Sequence, residues 1–106
     1  MTTLYSSAIT QCMRLQEIVM PSTLTNLNNY ALAYNYSLKS IDLSNVTTLS
    51  GYTLYQCFGL ESIKLPKTIT TLPTQMCYKC HNLSQVEFGD ALTTINSYCF
   101  YQCYGL

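Results

Sequence analysis

Cysteine and histidine are the residue types in this sequence that could do chemistry. The chain of 106 residues contains six Cys and one His, and the segment from Cys77 to His81 (CYKCH) matches the C-x-x-C-H pattern of covalent haem attachment. Attachment needs both thiols to reach the porphyrin and the histidine to reach the iron. Haem binding is therefore one interpretation of this segment.

A structural zinc site is a second interpretation of the same region. Cys77 and Cys80 are followed, after 18 intervening residues, by Cys99 and Cys103, a spacing that mimics a zinc ribbon. This interpretation leaves Cys12 without a role, and Cys57 as well. A zinc site would therefore explain only part of the cysteine content.

Other catalytic features are scarce. His81 is the single histidine, so a Cys-His nucleophile would have to be built on it. The five carboxylates do not cluster as an acid-base pair, and no glycine-rich phosphate loop occurs. We therefore expect a protein that is not an enzyme and that carries no cofactor.

The elements that must position these residues come from an internal repeat of about 23 residues. Each repeat directs apolar side chains to one interior, which stacked repeats can bury although one repeat alone cannot. The sequence divides into half a repeat, four full repeats and the first position of another: 1–14, 15–37, 38–59, 60–82, 83–105 and Leu106. We expect a single array over residues 1–106 that is part of a longer one.

Local patterns predict the elements within each repeat. An L-x-x-I-x-L motif opens each repeat and predicts a short strand, and a turn residue such as Pro66 follows it. A β-branched segment such as 69–72 predicts a second short strand. The stretch that ends at Cys80 has apolar residues at i, i+3 and i+4 spacing, which predicts a short helical or 3-10 turn.

The repeat alignment accounts for the thiols more simply. Four cysteines share one column, which Asn35 occupies in the first full repeat: Cys12, Cys57, Cys80 and Cys103. A disulfide between Cys80 and Cys103 would suit the separation of stacked positions, but equivalent side chains in a stack point in parallel. Cys77 falls in an apolar column, and buried free Cys behaves as a small apolar residue. We therefore predict a ladder of free thiols and no metal site.

These columns resemble the BspA-like leucine-rich repeats, whose pattern is close to LxxIxLPxxxTxIxxxAFxxCxxL. The segment LESIKLPKTITTLPTQMCYKCHNL follows it nearly throughout, and the resemblance covers the whole chain. It departs at Asn35, and at Cys77 and Cys99, which stand where Phe and Ala are expected. The resemblance implies a right-handed leucine-rich-repeat solenoid with short parallel strands. It also implies an extracellular or cell-surface protein used in adhesion.

Two faces of such a solenoid could bind a partner. Outward positions of the first strands form one face: Glu17, Val19, Ser40, Asp42, Ser62, Lys64, Gln85 and Glu87. Acidic and basic residues alternate along it, which predicts weak pairs between neighbouring strands. Tyrosines in one turn column form a candidate surface on the opposite face: Tyr55, Tyr78 and Tyr101. Tyrosine combines apolar area with a hydroxyl, which suits protein or sugar contacts.

Composition limits the classes of partner. The net charge is zero and only 9% of the residues are charged, so we expect no nucleic-acid partner. No run of about 18 apolar residues occurs, so we expect no membrane insertion. The expected function is a non-catalytic module for protein or glycan interaction. The alternative is a spacer or assembly unit of a filament, fibre or virion, joined end to end through its open ends.

Overall fold

The computed structural model describes residues 3–106, which form a parallel β-solenoid of about four turns. The predicted repeat solenoid is therefore confirmed. Met1, which the repeat alignment places in a core column, lies outside the described residues. Eight short strands occur: β1 (Thr3–Leu4), β2 (Asn26–Leu27), β3 (Ser40–Asp42), β4 (Thr48–Leu49), β5 (Ser62–Lys64), β6 (Thr71–Leu72), β7 (Gln85–Glu87) and β8 (Thr94–Ile95).

The opening motifs of three repeats form one parallel sheet with the order β3-β5-β7. The register aligns equivalent positions, with Ile41 opposite Ile63 and Ile63 opposite Val86. The first full repeat joins this sheet through a single bridge between Glu17 and Ser40. Because side chains alternate along a strand, the apolar residue at the centre of each strand points inward and its neighbours face solvent.

The second strands form two separate sheets, β1-β2-β4 and β6-β8. The break falls between the repeats 38–59 and 60–82. The first of these is one residue shorter than the others, and the missing residue lies in the turn that leads to β4.

Leucine columns make up most of the core. Leu38, Leu60 and Leu83 are fully buried at equivalent positions, as are Leu27 and Leu72 on the second strands. In the last repeat, apolar residues at core positions are exposed to solvent. Phe88 is 61% exposed and Ile95 is 56% exposed, because this repeat lies at the end of the described stack.

The predicted helical or 3-10 turns are not found, since residues 3–106 contain no helix. The segments after the second strands instead have positive φ at two repeat positions, for example 63° at Tyr52 and 56° at Gln56. A residue in this left-handed region interrupts helical backbone geometry. It also turns its N–H toward the next repeat, as in the bonds from Tyr52 to Thr74 and from Gln56 to Tyr78. These bonds between repeats stand beside single-turn bonds within the segment, such as the one from the Tyr55 N–H to the Tyr52 carbonyl.

Candidate interaction surfaces

The strand face, defined by the eight outward positions of the first strands, is an exposed and continuous surface. Shallow depressions on it are lined by residues of neighbouring repeats, including Glu17 with Asp42 and Lys64 with Glu87. Val19 is 89% exposed at one edge of this face. The structure therefore brings the predicted strand-face residues together, and their role in binding stays a prediction.

Charges on the strand face are aligned but form few bonds. The register places Lys64 opposite Asp42 and opposite Glu87, yet within residues 3–106 the ion pair that forms is Lys39 Nζ to Glu61 Oε2, at 3.8 Å. Asp42 instead accepts a 2.9 Å hydrogen bond from the Ser44 N–H. Hydrogen bonds from Ser44 lower the pKa of the Asp42 carboxyl. Within residues 3–106, Lys64 and Glu87 are exposed and form no ion pair, so both can contact solvent or a partner.

The predicted tyrosines belong to a larger aromatic surface, here called the tyrosine band. It consists of seven residues: Tyr30, Tyr34, Tyr52, Tyr55, Tyr78, Tyr98 and Tyr101. Tyr78 stacks on Tyr55 and on Tyr101, with ring centroids 4.9 Å apart in both pairs. Tyr30 and Tyr52 form a second stack at 4.7 Å. The repeat spacing therefore equals a stacking distance.

Edge-on contacts join these stacks into one surface. The ring of Tyr55 meets Tyr34 at 75° and Tyr52 at 62°, and Tyr98 meets Tyr101 at 79°. Burial, followed by the neighbouring phenols, raises the pKa of Tyr30 and of Tyr34. The sequence identified Tyr55, Tyr78 and Tyr101, which share a column. The sequence placed the other four tyrosines in two further columns of the same side, but the edge-on contacts between columns were not predicted.

The shared cysteine column makes one repeated hydrogen bond. The thiols of Cys57 and Cys80 donate to the carbonyl oxygens of Leu32 and Leu54, each at 3.3 Å. Cys103 donates to the carbonyl of Cys77 at 3.1 Å. Each acceptor lies in the preceding repeat, so the thiols tie repeats together from inside.

Asn35 makes the same bond with an amide. Its Nδ2 donates to the carbonyl of Ile9 at 3.0 Å and to that of Leu32 at 2.8 Å, while its Oδ1 accepts the N–H of Cys12 at 3.0 Å. The side chain is fully buried, and three bonds satisfy it. Asn therefore replaces Cys in this column because both can donate to the same carbonyl.

The geometry does not suit haem or zinc. Cys77 and Cys80 are fully buried and Cys99 is 1% exposed, so these thiols fill the core. Burial raises the pKa of Cys99 to about 11 and that of Cys103 to about 12. Among residues 3–106, no group of three or more His, Cys, Asp or Glu side chains is arranged to hold a metal ion. Of these four cysteines, Cys80 and Cys103 belong to the shared cysteine column, and Cys77 and Cys99 fill buried apolar positions beside it.

His81 takes part in a separate aromatic stack. Its ring lies 5.0 Å from Phe58 and 5.2 Å from Tyr104, and Tyr36 continues the stack beyond Phe58 at 5.1 Å. The His81 Nε2 atom is buried without a hydrogen-bond partner. This column was visible in the sequence as Met13, Tyr36, Phe58, His81 and Tyr104. His81 therefore has the position of a packed aromatic residue.

These features define a repeat protein of the leucine-rich type, in which repeated surfaces are exposed and the reactive groups are interior. The family model of the BspA type leucine-rich repeat region matches residues 1–106 with six copies. The chain therefore belongs to the BspA-type leucine-rich repeat family. No curated protein and no solved structure matches it. No helix in the described part of the chain is long and apolar enough to cross a membrane.

Proposed function

We propose that this chain is a non-catalytic module that binds a protein or glycan, at a cell surface or after secretion. One observation carries the proposal: the strand face is extended and mostly exposed and the tyrosine band is extended and half-buried to exposed, whereas five of the six thiols are buried. Family membership supports an interaction role, because BspA-type repeats are generally involved in protein interaction and adhesion. The location rests on the family resemblance alone.

A binding screen tests this proposal directly. The folded chain is immobilised and exposed to a phage-displayed library of random peptides and to a printed panel of glycans. A module of this kind yields saturable ligands in at least one of the two sets. A folded chain that retains no ligand from either set above background overturns the proposal.

A second candidate, an assembly unit, is favoured by apolar surface at both ends of the described stack. At one end Leu106 is 59% exposed near Phe88 and Ile95, and a depression there has an apolar lining. At the other end Val19 and Leu4 border a similar depression. We propose, as the alternative, that copies of the chain associate end to end through these surfaces.

Sedimentation velocity separates the two candidates. An assembly unit forms larger species as concentration rises, and Phe88→Gln suppresses them because it places a polar group on the contact surface. A chain that stays monomeric at high concentration excludes this second candidate and leaves the binding module.

A further inference from the structure

We propose that the tyrosine band binds a protein surface through the hydroxyl-bearing edges of its rings. This inference rests on the proposed function, since it names the class of partner and the surface that contacts it. The alternative partner class is a glycan.

The ring faces inside the band are already occupied. Tyr78 has one face on Tyr55 and the other on Tyr101, with centroids 4.9 Å away on each side. Sugars and nucleic-acid bases use a free aromatic face when they stack. A spacing of 4.9 Å leaves no room for a third ring between two tyrosines, so the inner rings cannot hold a sugar in this way.

The ring edges, by contrast, are available. Among the described residues, the side-chain hydrogen bond made to a hydroxyl of the band is the one from Gln102 Nε2 to Tyr101, at 3.5 Å. None of these hydroxyls is buried without a partner, so they reach solvent. A phenol hydroxyl both donates and accepts a hydrogen bond. The band therefore presents a row of groups that can bond the amides and hydroxyls of a protein surface.

Stacking also prepares the band for binding. Each inner ring is held by neighbours, as Tyr55 is held by Tyr78, Tyr34 and Tyr52. Side chains that are fixed before association lose little rotamer freedom when a partner docks. Tyrosine is enriched in protein interfaces for this reason, together with its large amphipathic area.

Charge adds a further criterion for the partner. The band tyrosines lie in three repeat columns, which begin at positions 7, 10 and 11 and recur in each repeat, and Lys79 is the single charged residue in these columns. Its Nζ lies 5.5 Å from the ring centre of Tyr78. A surface with so little charge attracts neither polyanions nor a strongly acidic protein. The partner surface is therefore uncharged and mixed polar and apolar, and its affinity is expected to depend weakly on salt.

The test uses peptide ligands selected from the phage library against the unmodified chain. The triple variant Tyr55→Phe, Tyr78→Phe and Tyr101→Phe keeps the stacks and removes three hydroxyls. We expect it to lower peptide affinity at least about tenfold, which corresponds to the loss of one or two hydrogen bonds. Thermal unfolding checks that the variant remains folded.

Two controls locate the effect. Tyr104→Phe removes a hydroxyl from the other aromatic stack and leaves peptide affinity unchanged. Lys64→Gln with Glu87→Gln changes the strand face and also leaves it unchanged. Peptide binding that survives the triple variant, or that is lost with the strand-face variant alone, overturns the inference.

The result also separates this inference from the proposed function. Ligands found only among the glycans, or peptides held by the strand face, refute the tyrosine band as a protein site while the binding module stands. The absence of any ligand refutes both. Peptides that lose affinity in the triple variant, with little change between low and high salt, support the inference.

Discussion

The strand side and the turn side of the solenoid hold neighbouring repeats together in different ways. On the strand side, the backbones of β3, β5 and β7 pair, and the outward side chains make few bonds to one another. On the turn side, side chains of one repeat stack on those of the next, as Tyr55 does on Tyr78. Outward residues therefore matter for packing on the turn side, whereas those of the strand side are free to vary.

Backbone conformation shows the same contrast. Among residues 3–106, ten residues other than glycine have positive φ, all of them on the turn side, and each costs about 1–2 kcal/mol relative to ordinary backbone. Seven of these donate their N–H to the following repeat: Ser7, Tyr30, Tyr34, Tyr52, Gln56, Gln75 and Lys79. The strained conformation is thus tied to the bonds that it makes between repeats.

The largest expected contrast concerns thiol reactivity inside the turn side. Cys12 is exposed, whereas the other five thiols are buried. Under native conditions a thiol reagent should modify Cys12 at least about 100-fold faster than the others, because they react only after the structure opens. The high pKa of Cys99 and Cys103, about 11 and about 12, slows them further at neutral pH.

Mass spectrometry of peptides sampled over time measures these rates. The same reagent applied to the unfolded, unreduced chain should label six thiols. Fewer than five labelled thiols would show that disulfides form and that the predicted free-thiol ladder is wrong.

Asn35 tests the bonds between repeats on the turn side. Asn35→Val removes the donor to Ile9 and the acceptor of the Cys12 N–H, and it leaves these groups without partners. We expect unfolding free energy to fall by about 2–4 kcal/mol in urea titrations. Asn35→Cys is the matched control and should recover part of the loss, since Cys57 makes the equivalent bond. Equal losses in both variants would contradict this account.

Substitutions at Tyr55 and Lys64 compare an outward residue of the turn side with one of the strand side. Tyr55→Ser removes a stacked contact and three edge-on contacts, which should destabilise the chain by about 1–3 kcal/mol. Lys64→Ser on the strand side should change stability by less than about 0.5 kcal/mol. Thermal unfolding of both variants gives the difference, and similar values would remove the distinction between the two sides.

The Lys39–Glu61 pair should contribute only a few tenths of a kcal/mol, because both side chains are at least half exposed. A double-mutant cycle with Lys39→Met and Glu61→Gln measures the coupling. The coupling should shrink as salt is added. A value above about 1 kcal/mol that is insensitive to salt would show that the strand side is held by charge after all.

Asp42 gives the smallest expected effect, which depends on pH. Hydrogen bonds from Ser44 lower its pKa below the ordinary value of 3.8. Its contribution to stability is therefore present above that value and is lost as pH falls through the lower pKa of the folded state. Asp42→Asn should slightly reduce the fall in unfolding free energy that is measured between neutral and acidic pH. An unchanged pH dependence of the unfolding free energy would show that the hydrogen bond from Ser44 to Asp42 does not persist in solution.

Much of the fold could be predicted because each position of the repeat occurs several times in the sequence, so that the residue types it requires can be compared. The opening leucine is buried in three successive repeats, at Leu38, Leu60 and Leu83, and Ile41 pairs in register with Ile63. The predicted helical turns are not confirmed, since apolar spacing alone does not distinguish a helix from turns that contain residues with positive φ. Backbone bonds to the next repeat decide between them.

The candidate surfaces were predicted in part. The sequence placed Tyr55, Tyr78 and Tyr101 in one column, but the contacts that join them to Tyr34 and Tyr98 cross columns. The hydrogen bond of Asn35 to Ile9 was equally hidden, since it links residues far apart in sequence. Such contacts depend on the distance and the lateral offset between one repeat of the solenoid and the next.

The sequence by itself determined the period, the interior columns and the membership of the family, because stacking requires each repeat to bury the same positions. Tertiary structure alone decided which thiols are buried, which charges pair and which tyrosines meet. Those outcomes depend on a rise per repeat that places rings 4.7 to 4.9 Å apart and on turns that send N–H groups across to the next coil. The distance between neighbouring repeats is set by their packing, so it cannot be read from the sequence of one repeat.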